Sequence, residues 1–203
     1  MKKIIALIGA GVLAITLTAC GSSSIEASVG SDKVTVSDVT TSVNNILAER
    51  KKVDTTGMTL PTGDALALNE LNFHLIAYLL ADTAAQNGVS ITPAEIAARR
   101  ASIVSQVGSE SGMPKALVGA NIAPADFPMY LKTVLYEEGL AKKVQAQGVA
   151  AADTQAALQK LASIVSEKLK VKVNPKYGIW DGLHSVVTAP AGSAPAPTPS
   201  TSK

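Results

Sequence analysis

One cysteine, two histidines and a near balance of 18 basic and 16 acidic side chains are the reactive inventory of this 203-residue chain. Cys20 has no second thiol for a disulfide and no cysteine neighbour for a metal site. His74 and His184 stand far apart, and neither has partners at ligand or triad spacing in the sequence. His74 is expected on the polar edge of a helix and His184 at the edge of a tail, both satisfied locally or facing water. Glu137 and Glu138 are adjacent, but neighbouring helix positions point about 100 degrees apart, so they read as a solvated face and not as an acid/base pair. The expectation is a protein that is not an enzyme and needs no metal and no cofactor.

The chemistry that Cys20 does suit is set by what precedes it. Lys2 and Lys3 lead into an apolar run from Ile4 to Leu17, which is short for a membrane span and has the length of a signal-peptide core. Leu17-Thr18-Ala19-Cys20 after such a core resembles the lipobox of bacterial lipoproteins. That resemblance implies lipid transfer to the Cys20 sulfur, cleavage that removes residues 1–19, and acylation of the new amino terminus by a fatty acid such as palmitate. Several acyl chains on one residue hold far more firmly than one, since each buried methylene contributes about 0.8 kcal/mol. The protein is therefore expected on the extracytoplasmic face of the cell membrane, anchored by lipid.

Without Lys2 and Lys3 the basic count falls to 16, equal to the acidic count, which argues against nucleic acid and against a polybasic grip on anionic lipid. Aromatic residues are only 3% of the chain, while Ala, Leu and Val abound. Aliphatic stripes of this kind favour helices, and the fold class expected is mainly α.

The elements follow in order. Residues 20–28 read as a Ser-rich linker, and Ala27 to Val36 as two short β-prone pieces around Gly30-Ser31-Asp32. A helix capped by Ser37 carries Val39, Val43, Ile46 and Leu47. After a loop over residues 51–63, the stretch from Asp64 to Gln86 reads as the central helix, with Leu68, Leu71, Leu75 and Leu79 on its main stripe. Thr92-Pro93-Ala94-Glu95 is a capping box with proline at the first helical position, and it starts a helix that reaches about Val107 and turns Arg99 and Arg100 to solvent. A short helix over Met113 to Val118, a helix from the Asp126 region to about Val144, and one capped by Asp153 complete the helical part. Val171-Lys172-Val173 then alternates like a strand that Pro175 stops. From residue 186 the Ala, Pro, Ser and Thr composition predicts a disordered tail to 203, leaving 29–185 as the folded domain.

Three pieces of this order resemble the N-terminal chaperone domain of the SurA and PrsA family of extracytoplasmic folding factors. They are the opening stretch Val29 to Val36, the helix start Gly88-Val89-Ser90-Ile91-Thr92-Pro93-Ala94-Glu95-Ile96, and the closing stretch Val171-Lys172-Val173-Asn174-Pro175-Lys176-Tyr177-Gly178-Ile179-Trp180-Asp181. The resemblance implies a multi-helix domain closed by a small strand pair, with the Lys172 strand lying against the Lys33 to Val36 strand. Members often carry a parvulin-type prolyl isomerase inserted before the last helix. Here only Gln145 to Ala152 fills that place, too little for a domain of roughly a hundred residues, so isomerase activity is expected to be absent.

What the resemblance implies is a non-catalytic chaperone or holdase whose partners are unfolded or partly folded secreted polypeptides. Such a protein needs an adaptable apolar groove, and Met113, Phe127, Met129 and Tyr130, in and after the Gly-rich loop, together with Tyr177, are the candidate client-binding residues. The other reading of these side chains is ordinary core. Trp180 reads as a lid over the strand pair, with an exposed patch shared with Asn174 and Tyr177 as the alternative. At the level of function the alternative is an adaptor lipoprotein that binds one specific envelope partner.

Overall fold

The computed structural model describes residues 24–188. Residues 1–19, Cys20 with its expected lipid attachment, and the expected tail beyond Thr188 lie outside the described residues. Among the described residues six α-helices dominate, α1 Val36–Arg50, α2 Gly63–Gln86, α3 Pro93–Val107, α4 Met113–Ala120, α5 Phe127–Ala146 and α6 Thr154–Leu169. The strands are short: β1 Ile25–Val29, β2 Asp32–Thr35, β3 Lys172–Val173, β4 Ile179–Asp181 and β5 Val186–Thr188. The fold is mainly α, as the aliphatic composition predicts.

Two of the helix starts show local chemistry setting the boundary. At α3 the Thr92 hydroxyl accepts from the Glu95 amide at 3.2 Å while the Thr92 amide donates to Glu95 at 2.7 Å, completing the expected capping box. At α1 the same reciprocal pair forms between Thr35 and Asp38, so Thr35, and not Ser37, is the N-cap. Asp38 lies three residues after Thr35, where its carboxylate can reach back to the cap amide, whereas Ser37 falls inside the first turn.

α2 is the central element. Leu71, Leu75 and Leu79 on its main stripe are fully buried, and Leu68 is half-buried at the margin. With Val29, Val34, Val39, Ala162 and Val165 they form the principal apolar cluster, under a cover of partly buried side chains that includes Trp180 and Tyr177. α2 touches α1, α5, α6 and the strands β1, β2 and β5, so most other elements are placed by reference to it.

The sheets differ from the expected single strand pair. β1 is the middle strand of a three-stranded sheet in the order β2-β1-β3, and a second antiparallel pair joins β4 to β5. β3 therefore pairs with β1, with Ala27 opposite Val173 and Ser28 opposite Lys172, and not with β2. The linker expected over residues 20–28 is thus replaced by a strand from Ile25 onward, and Val186 to Thr188, expected in the tail, are a strand whose Val187 is buried and whose amide donates to Asn72 on α2 at 2.8 Å. Backbone pairing overrides composition here, because each short strand satisfies its peptide groups only beside another.

A bulge in β1 explains a burial pattern that simple alternation does not. Ile25 faces Thr35 and Ala27 faces Val34, so Glu26 is the extra residue, and Glu26 and Ala27 are both buried. At the following turn Gly30 adopts φ 57°, and a β-carbon there would stand 3.2 Å from Leu169. Glycine suits both the left-handed backbone and the close approach of α6.

Candidate functional site

Away from the central cluster, α3, α4 and the start of α5 enclose a smaller one around Met113, Phe127 and Leu131. Ile96, Ile103, Val104 and Val107 pack against it from α3, yet none of them is fully buried, and α3 has no buried residue at all. What secures α3 laterally is a surface ion pair from Arg99 to Glu138 on α5 and another from Arg100 to Glu110. Exposed pairs of this type contribute little, about 0 to 1 kcal/mol.

The candidate client-binding residues divide across this lobe. Met113 and Phe127 are core side chains of its cluster, 6% and 8% exposed, which is the ordinary-core arrangement while α3 stays in place. Met129 and Tyr130 are half-exposed, and the Tyr130 ring stacks on Phe127 with centroids 6.2 Å apart. Tyr177 belongs elsewhere, half-buried at the closing sheet with the Lys176 ammonium 4.9 Å from its ring centroid. Trp180, in β4, covers the principal cluster and donates its indole N–H to Ser166 at 2.6 Å, which is the lid arrangement.

The closing sheet holds a polar anchor that links both ends of the domain. Glu26 is fully buried; Lys176 pairs with it, and Asn174 donates to it from its side-chain amide at 3.0 Å. The Asn174 backbone amide donates to the Glu26 carbonyl at 2.7 Å. Asn174 and Lys176, both in the stretch that carries the family resemblance, thus do their work on a residue expected in the linker.

His74 is not on a polar edge. It is 5% exposed, and its Nε2 lies 3.1 Å from the hydroxyl of Ser42, itself 3% exposed. Ser42 in turn donates to Asp126 at 2.5 Å, and His74 Nε2 is 3.9 Å from the same carboxylate. Burial lowers the His74 pKa below the usual histidine value, against the pull of Asp126 and Asp38. The types are those of a nucleophilic triad, but the connections are not. The serine proton goes to the carboxylate, so the imidazole can only donate to the serine oxygen, and the three act as a buried tie between α1, α2 and the 3-10 turn Pro124–Asp126 that leads into α5. His184 too has a partner, Asp181, at 2.6 Å on the exposed turn between β4 and β5.

One α-helical turn before His74 lies Glu70, 2% exposed, which no sequence pattern singled out. Its carboxyl receives no hydrogen bond and forms no ion pair among the described residues, and burial first, then the nearby charge of Asp126, push its pKa up to about 7 against the opposing Arg50 guanidinium. Arg50 is committed elsewhere, donating to the Pro61 carbonyl at 2.7 Å and to Asn121 at 2.8 Å, while its Nε is buried without a partner. Glu70 lines a cavity of about 390 Å³ with Asn69, Phe73, Asn121, Ile122 and Tyr130. A second cavity of about 260 Å³ lies between α2, α5 and α6, where Leu79, Leu80, Leu140 and Leu158 line it together with His184 and Ser185 from the turn between β4 and β5. No group of His, Cys, Asp and Glu side chains among the described residues is arranged to hold a metal ion, and no described helix is long and apolar enough to cross a membrane.

Compared with known proteins, the chain matches no family model, no curated protein and no solved structure.

Proposed function

We propose that this protein is a lipid-anchored, extracytoplasmic holdase that shields apolar segments of secreted or envelope proteins without catalysing a reaction on them. The observation that carries the reading is the α3 lobe, an aliphatic face of Ile96, Ile103, Val104 and Val107 that is only half covered and is fastened by surface ion pairs. A modest displacement of α3 uncovers that face together with Met113, Phe127 and Tyr130, giving a broad apolar surface with an adaptable methionine, which suits many unrelated clients. Anchoring through Cys20 and the resemblance of the closing stretch to the SurA and PrsA chaperone domain supply the location and the class. Binding to the unfolded state of a client limits its aggregation by mass action.

A second reading, an adaptor for one folded partner, draws on a different surface. The β4 and β5 pair exposes Ile179 and Leu183, 72% and 62% accessible, on a short hairpin with a fixed shape. Light scattering from two or three unrelated denatured secreted proteins, with a soluble form lacking residues 1–19 and carrying Cys20→Ser, separates the two. Suppression of aggregation for all of them near equal molar ratio is the expected result. A natively folded protein that suppresses none overturns the holdase reading and directs attention to crosslinking from the hairpin.

A further inference from the structure

We propose that the cavity beside Glu70 is a binding site for a primary ammonium group carried on a short aliphatic stem, the chemistry of a lysine side chain or of a free alkylamine. Glu70 is a carboxyl at 2% exposure with no hydrogen-bond donor among the described residues, and its oxygens face the cavity, so a partner there, water or ligand, has to satisfy them. It opens onto a cavity of about 390 Å³, within the size range of small-molecule sites.

The surroundings select the ligand. Among the described residues Arg50 on α1 is the one cation that acts on Glu70, and its two terminal nitrogens are taken by Pro61 and Asn121. Asp126, from the turn before α5, adds a second negative charge, and His74 on α2 stays neutral because it is buried. Two carboxylates against one guanidinium leave the locality hungry for one positive charge. Phe73, Ile122 and Tyr130 line the same cavity and supply apolar cover for a stem and ring faces for a cation. Asn121 keeps one acceptor lone pair after its bond to Arg50, so an ammonium with three donors has a second oxygen to meet. A calcium ion does not fit, because it takes about six to eight oxygen ligands and the cavity offers one carboxylate, and no described His, Cys, Asp and Glu group is arranged to hold another metal. Near neutrality Glu70 holds a proton part of the time, and the incoming ammonium favours the carboxylate, so binding expels that proton.

The test is isothermal titration of the full chain in nonionic micelles with n-butylammonium chloride, and with 1-pentanol as the uncharged probe of similar length, in buffers of different ionisation enthalpy. Saturable one-site binding of butylammonium, with net proton release near pH 7 and affinity about ten-fold or more weaker at pH 5.5 than at pH 7.5, is the expected result. Glu70→Gln should remove both the proton release and the pH dependence; Tyr130→Ala should weaken binding a few-fold and keep them. If Glu70→Gln does not fold by circular dichroism, the wild-type proton release and the Tyr130→Ala series decide. The tripeptide acetyl-Ala-Lys-Ala-amide distinguishes the sources: binding with the same proton release assigns the site to lysine side chains of polypeptides, and its exclusion while butylammonium binds assigns it to free amines. No saturable binding, equal binding of 1-pentanol, or binding without proton release overturns the proposal. The outcome is independent of the holdase reading, which stands or falls on aggregation.

Discussion

The apolar cluster around α2 and the one between α3, α4 and the start of α5 are built from similar residues and held in different ways. Around α2, Leu71, Leu75 and Leu79 have lost all contact with water, and the cluster is closed by a sheet whose polar anchor is the buried Glu26, reached by half-buried Asn174 and by Lys176 from the surface. Around α3, the aliphatic side chains stop half-way in, and charge pairs at the surface take the place of cover. Hydrophobic stabilisation scales with area removed from water, so identical residue types contribute much more in the first region than in the second. A strong centre and a weakly held margin in one small domain is an arrangement in which the margin can open without unfolding the rest.

The contrast breaks most visibly on truncation. Leu75→Ala should cost about 3 to 4 kcal/mol in denaturant unfolding, because it leaves a cavity beside helices that cannot collapse into it. The matching change in α3, Ile103→Ala, should cost about 1 kcal/mol, since the side chain keeps part of its contact with water in either state; equal losses at the two sites would erase the distinction. Glu26→Ala should cost about 2 kcal/mol by removing the acceptor that Asn174 and Lys176 share, and a cycle with Lys176→Met measures how much of that is the pair.

The buried acid gives a pH-dependent version of the same comparison. Glu70 has a folded pKa of about 7, well above its unfolded value, so the folded state holds a proton that the unfolded state releases. Stability therefore falls as pH rises from about 4.5 to 7, and the full penalty is present above that window. Glu70→Gln should leave stability nearly unchanged at pH 4.5 and raise it relative to the natural chain at pH 8 by about 2 kcal/mol, discounted because the carboxyl opens onto a cavity. A constant difference across pH would show that Glu70 does not titrate there. The smallest effect is the cap: Thr92→Ala should cost about 1 kcal/mol and speed amide exchange in the first turn of α3 alone.

Much of this architecture can be read from local sequence. The Thr92 to Glu95 capping box, the α2 stripe and the helix order are short-range patterns, and each lies within a residue or two of its expected place. What could not be read depends on residues distant in the chain. Asn174 and Lys176 stood out, but their partner Glu26 sits in a Ser-rich stretch that gave no strand signal, and the bulge that turns it inward breaks the alternation a reader looks for. Two short alternating segments offer no means of choosing whether β3 pairs with β1 or with β2. His74 reads as a polar-edge residue and Glu70 carries no pattern of its own, because α2 is apolar over most of its circumference; the one signal available is that a helix covered on nearly all sides leaves few polar positions in water. Ser42 and Asp126, which make the burial of His74 tolerable, come from two other elements.

The position of β1 between β2 and β3 also imposes a timetable. A chain made from its amino end can form the hairpin of β1 with β2 early, since only Gly30 and Ser31 separate them. The other side of β1 stays open until Lys172 and Val173 have been made, and with it the buried carboxylate of Glu26 waits for Asn174 and Lys176. Contacts between such distant segments are slow to form, and an open strand edge is a template for wrong partners in the meantime. Completion of the domain is thus conditional on nearly the whole chain, and a product cut short before β3 would carry its stickiest edge uncovered.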